Sequence, residues 1–137
     1  MSKEPEATEN PLQVALQPFH AAQGKLLTAV LQDEVDEAES VLLVFGSECL
    51  TFQCHPDQDV VTLSFGAATP SEDADDLTGS RAWSRFIGKE FFWGWLTVNQ
   101  RGATDGVLLS FDGVVPEIGL NVVAASFETL EVRQRAG

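Results

Sequence analysis

The sequence predicts an α+β fold, mainly β: a single-domain antiparallel sheet or partly open barrel of seven to eight strands with one or two short helices. Three observations predict it. From position 41 onward, short runs of β-branched and aromatic residues recur between clusters of Gly, Pro, Asn and Asp. Within most runs apolar and polar residues alternate, as on a strand with one buried face. The chain has 137 residues, 44% of them apolar. That is enough to bury roughly two-thirds of the unfolded surface in one core without metals or cross-links.

Residues 1–10 are polar and contain Pro5, so they are expected to form a disordered tail, leaving 11–137 as the single globular domain. Leu12, Leu16 and Phe19 are spaced for a helix over 11–22, which Pro18 would interrupt or kink. The stretch 25–40 fits a helix face through Leu27, Leu31, Val35 and Ala38, or a strand alternating through Leu26, Thr28, Val30 and Gln32. Acids would crowd the C-terminal end of that helix, where its dipole disfavours negative charge. A strand to about Gln32 followed by an acidic loop is therefore the preferred reading. Residues 41–45 read as a buried strand and 46–48 as a hairpin turn; 49–55 form the next strand, with Leu50, Phe52 and Cys54 on one face. After a turn at 56–59, Val61, Leu63 and Phe65 face inward from a further strand.

Residues 66–80 offer almost nothing to bury and read as a long, mobile surface loop. Residues 81–88 fit one or two helical turns with Trp83, Phe86 and Ile87 on one side and Gly88 at the end, their arginines partnered with the acidic loop. Residues 89–98 are apolar on both faces, which predicts a central strand, and Gly94 within it allows something to approach closely. Turns at 99–102 and 112–113 bracket a strand over 106–111, and two further strand-like runs, 116–125 and 127–133, complete the chain.

Charge supplies the main functional signal. The chain carries 8 Lys and Arg against 21 Asp and Glu, a formal net charge of −13. Residues 1–80 hold 15 acids and 2 bases, whereas residues 81–137 hold 6 of each. Two clusters dominate, one running from Asp33, Glu34, Asp36 and Glu37 to Glu39, the other comprising Glu72, Asp73, Asp75 and Asp76. Such a surface repels phosphate backbones, so neither nucleic acid nor an anionic membrane is expected as a partner. A basic protein is the expected partner, steered by an attraction that weakens with salt, and Asp33, Glu34, Asp36 and Glu37 are the candidate partner-binding residues. Solubility alone is the competing explanation of the acids. The longest clean apolar run is far short of the about 18 residues of a spanning helix, and the first residues lack the pattern of a secretory signal. A cytoplasmic protein is expected.

No catalytic residue, metal or cofactor is expected. His20 and His55 have no neighbouring Ser or Cys with a nucleophile's local signature. Cys49 and Cys54, roughly 16 Å apart at about 3.3 Å per residue along one strand, cannot bridge each other. His55, Asp57 and Asp59 alternate in a turn but match no zinc or calcium pattern. Asn99, Gln100 and Asp105 lie near Trp95 in sequence. They admit two readings: a small ligand pocket over the indole, or a turn whose side chains bond their own backbone, the latter being favoured. The three tryptophans are read as core rather than as a binding platform.

The segment Trp83-x-x-Phe86-Ile87-Gly88-Lys89, then Trp93-x-Trp95-x-x-x-Asn99-Gln100-x-Gly102-x-x-Asp105-Gly106, Leu109-x-Phe111 and a late Ser126, resembles a family of small bacterial proteins of unknown function. Ala103 stands where that pattern has an aromatic residue, and Arg101 replaces a smaller polar one. The resemblance implies a sheet-rich domain and no catalytic residues; some members look like accessory or immunity-type proteins. The expected function is thus a non-catalytic acidic binding domain, an immunity-type inhibitor of a basic toxin or enzyme. The alternative is a small-molecule-binding or enzymatic domain at Trp95, Asn99 and Asp105, and a homodimer covering an apolar strand is a third reading.

Overall fold

A computed structural model describes residues 11–35, 38–55, 60–67, 69–111, 113–123 and 126–132. In chain order, helix α1 (Pro11–Ala22) precedes strands β1 (Ala29–Val35), β2 (Ala38–Phe45), β3 (Glu48–His55), β4 (Val60–Ala67) and β5 (Asp75–Asp76). After a 3-10 turn at Ser84–Phe86 come β6 (Trp93–Val98), β7 (Thr104–Ser110), β8 (Ile118–Val123) and β9 (Ser126–Glu131). The strands make two open antiparallel sheets, ordered β4-β3-β2-β1-β5 and β6-β7-β8-β9.

Period-two alternation builds the core between these sheets. Residues opposite one another across neighbouring strands share a face, so the first sheet presents Val30, Leu43, Leu50 and Phe65 as one row and Gln32, Val41, Phe52 and Leu63 as the next. The second sheet presents Leu96, Val107 and Leu120, then Gly94, Leu109 and Ile118. Helix α1 adds Phe19, fully buried, with its ring 6.4 Å from Phe52, 6.0 Å from Phe91 and 5.9 Å from Trp93. Gly94 makes that insertion possible: a Cβ there would lie 2.4 Å from the Phe19 ring. The 3-10 turn contributes Phe86, stacked on Phe111 at 4.7 Å, and Trp83, only 1% exposed. Each such side chain stabilises the fold by about 1.5–3 kcal/mol on burial.

Several expectations are corrected. Helix α1 continues through Pro18. The acidic stretch is not a loop after Gln32: β1 runs on to Val35 and pairs Asp33 with Ser40 and Glu34 with Glu39, because hairpin pairing with β2 outweighs the low strand propensity of the acids. Residues 66–80 are not a free loop, since Asp75 and Asp76 pair with Gln32 and Leu31 as β5 and bring the described strands to nine. β6 is an edge strand, not a central one: within its sheet it pairs with β7 alone, while Phe19 packs on its inner face at Gly94. Arg85 turns away from the acids to donate to the Glu117 carbonyl at 3.2 Å and lies 4.5 Å from the Phe86 ring centre. Cys49 and Cys54 are both buried and form no disulfide, one on each face of β3.

Candidate functional site: an acidic cleft

The β1–β2 register sets the site. Pleating puts Asp33 on the outer face and Glu34, with its partner Glu39, on the face that looks toward the second sheet. Asp33 then captures the returning chain: it accepts hydrogen bonds from the Ser71 amide at 2.9 Å, the Ser71 hydroxyl at 2.7 Å and the Glu34 amide at 2.8 Å. The Ser71 amide and then its hydroxyl hold the Asp33 carboxyl below the ordinary carboxylate range. Four residues on, β5 lies beside β1. At its end, Asp76 accepts from the Thr78 amide at 2.9 Å, while the Thr78 hydroxyl accepts from the Val30 amide at 3.0 Å. The Thr78 hydroxyl, and after it the Thr78 amide, lowers the Asp76 carboxyl as well.

The strap from Ser71 to Thr78 thereby closes a cleft of about 540 Å³ lined by Gln32, Asp33, Glu34, Glu39, Ser71, Asp73 and Asp75. Five of these are carboxylates drawn from both acidic clusters, and none is basic. Glu39 also accepts from the Phe127 amide at 2.9 Å, which ties the mouth of the cleft to β9 of the other sheet. The ion pair Lys25–Glu48, 3.2 Å apart, belongs to the opposite end of the β2–β3 hairpin, away from the cleft. Chemically, such a lining attracts ammonium and guanidinium groups. Its one hydroxyl is already donated to Asp33.

Of the partner-binding residues expected from the sequence, Asp33 and Glu34 line this cleft, whereas Asp36 and Glu37 lie outside the described residues. Asp57 and Asp59 lie outside them as well; His55 contacts the Thr62 hydroxyl at 2.8 Å. Sequence reading did not select Glu39, Ser71, Asp73 or Asp75. The strand alternation around Glu39 was the available signal; the capture of Ser71 left none. Among the described residues no group of three or more His, Cys, Asp or Glu side chains is arranged to hold a metal ion.

The residues of the alternative pocket are engaged locally. Asn99 uses its side-chain oxygen to accept the amides of Arg101 at 2.9 Å and Ala103 at 3.1 Å, which shapes the β6–β7 turn. Asp105 accepts from the Thr97 hydroxyl at 2.9 Å, Gln100 is exposed, and Trp95 stands half-buried opposite Leu108. A second cleft, about 530 Å³, lies elsewhere, floored by Phe91 and Phe111 and rimmed by Leu26, Lys89, Glu90 and Phe92.

Fold and site together define a two-sheet, mainly β protein with one acidic cleft and no helix, among the described residues, long and apolar enough to cross a membrane. The chain belongs to the family of unknown function DUF6334, whose model matches residues 12–136. No curated protein and no solved structure matches it.

Proposed function

We propose that the protein is a non-catalytic, cytoplasmic binding domain of the immunity type, whose acidic cleft receives Lys or Arg side chains of a basic toxin or enzyme and so covers that partner's working surface. The observation that carries this reading is the convergence of two acidic clusters, some forty positions apart in the chain, on one cleft without a basic residue in its lining. A second feature favours it over solubility alone. Glu34 stands directly opposite Glu39, a like-charge pairing that weakens the hairpin, whereas acids serving only solubility are cheapest when spread apart.

The test is capture of a partner from native cell extract on the immobilised full chain at low and high salt, followed by association kinetics with the captured protein. The expected partner is basic, its association slows steeply with added salt, and charge reversal at Asp33, Glu34, Asp36 and Glu37 slows it about tenfold or more. Association indifferent to both salt and charge reversal sinks the proposal.

A further inference from the structure

The strap that closes the acidic cleft is fastened at its two ends by different kinds of contact. At the far end Leu77 packs against the core, its amide donates to the Val30 carbonyl at 2.7 Å, and the Thr78 hydroxyl accepts from the Val30 amide at 3.0 Å. At the near end the fastening is polar and lies at the surface: the Ser71 amide and hydroxyl donate to Asp33 at 2.9 and 2.7 Å. Between these points Glu72, Asp73, Asp75 and Asp76 are exposed and Ala74 is half-buried. The Ala74 amide donates to the Ser71 carbonyl at 3.3 Å, so the segment is stitched to itself, and its ladder to β1 is two residues long. A stretch with so little apolar burial opens at a fraction of the cost of unfolding the core, and its internal bond makes it move as a unit.

Charge works against the latch. Closure brings Asp73 and Asp75 into one lining with Asp33, Glu34 and Glu39, and repulsion among like charges favours the open state. Asp33, Glu34 and Glu39 sit on the β1–β2 ladder, whereas Asp73 and Asp75 leave the cleft when the strap moves. We infer that residues 71–76 are a lid. It swings on Leu77 and Thr78, is latched by the bonds from Ser71 to Asp33, and is held shut by an ammonium or guanidinium group seated among the carboxylates. Opening carries Asp73 and Asp75 away and frees the edge of β1 at Leu31 and Gln32. A cation in the cleft offsets the repulsion that closure creates, so it binds the closed state better than the open one and shifts the population toward it. The cation's part in this rests on the binding reading above; the opening of the lid in the free chain does not.

Site-resolved amide hydrogen exchange on the full chain, read against the amides of the β2–β3 hairpin, tests this. In the free chain the Ser71 and Ala74 amides should exchange together and well before that of Leu77. Ser71→Ala loses the hydroxyl donor and should speed exchange at Ala74 about fivefold or more. Glu34→Gln removes one facing charge and should slow it about twofold. Tetralysine at low salt should slow both strap amides about fivefold or more, a protection that salt removes. Slowing is the diagnostic direction, because masking negative charge by itself raises the local hydroxide concentration and speeds exchange. Strap amides that exchange only as slowly as Leu77 overturn the inference, as does unmoved exchange at Ala74 in Ser71→Ala or Glu34→Gln, or a strap that tetralysine leaves unprotected. Any of these results beside a captured partner whose association still slows with salt strikes the lid alone and leaves the binding reading standing.

Discussion

At Gly94 the absence of one carbon decides how the helix meets the sheets. The Phe19 ring occupies the space a Cβ would need, with three ring atoms 2.4–2.7 Å from that position. Gly94→Ala is therefore expected to destabilise the fold by about 1–3 kcal/mol, the usual cost of overpacking a well-filled core. Chemical denaturation measures this, and Phe19→Leu should recover part of the loss; an unchanged midpoint in Gly94→Ala would show that the ring has room to move. Asp33 works through hydrogen bonds instead. Its folded-state acidity is stronger than the ordinary value of 3.8, so the stability it supplies is fully present above that value and is lost as pH falls through the lower folded one. Ser71→Ala removes one of its donors. The Asp33 carboxyl should move back up in an NMR titration, and stability should decline less steeply with acid below about pH 4; an unmoved titration would sever the link between strap and strand. The need for a small residue at Gly94 was legible in the sequence, but its occupant was not, because a ring arriving from 75 positions earlier leaves no local trace.

The β1–β2 hairpin is the element where sequence reading and structure part. Its second half is rich in acids, and local propensity ends the strand near Gln32. Pairing with β2 extends it to Val35, since ladder hydrogen bonds and the burial of Val30, Val41 and Leu43 fix the register of the whole hairpin. Asp33, Glu34 and Glu39 are consequently held on a ladder rather than dispersed on a loop. Glu34→Gln should expose the tension this creates. Removing one charge from the opposed pair with Glu39 is expected to raise stability by about a few tenths of a kcal/mol while slowing association with a basic partner. Parallel denaturation and binding measurements check it; a loss of both stability and binding would mean that Glu34 has a structural role of its own.

For the molecule as a whole, negative charge is concentrated at the cleft of the first sheet. Asp33 and Glu34 on β1, Glu39 on β2, Asp73 on the strap and Asp75 on β5 supply the cleft carboxylates, whereas strands β6 to β9 hold only Asp105, Glu128 and Glu131. Salt accordingly weakens capture of a basic partner, because that association joins unlike net charges. The hydrogen bond from the Phe127 amide to Glu39 makes the second sheet part of the cleft's support. That arrangement holds a carboxylate at the cleft mouth from both sides of the core.

The sequence by itself determined the mainly β class, most strand faces, the helix over Pro11–Ala22, the unlinked cysteines and the confinement of negative charge to the first 80 residues. These follow from periodicity and composition, which are local and additive. Only the tertiary structure decided that the strands split into two sheets, that β6 lies at an edge, and that Asp33 binds Ser71 so that two acidic clusters become one cleft. Those outcomes depend on which distant segments pair, and pairing is chosen by the burial and hydrogen bonding of the whole chain at once.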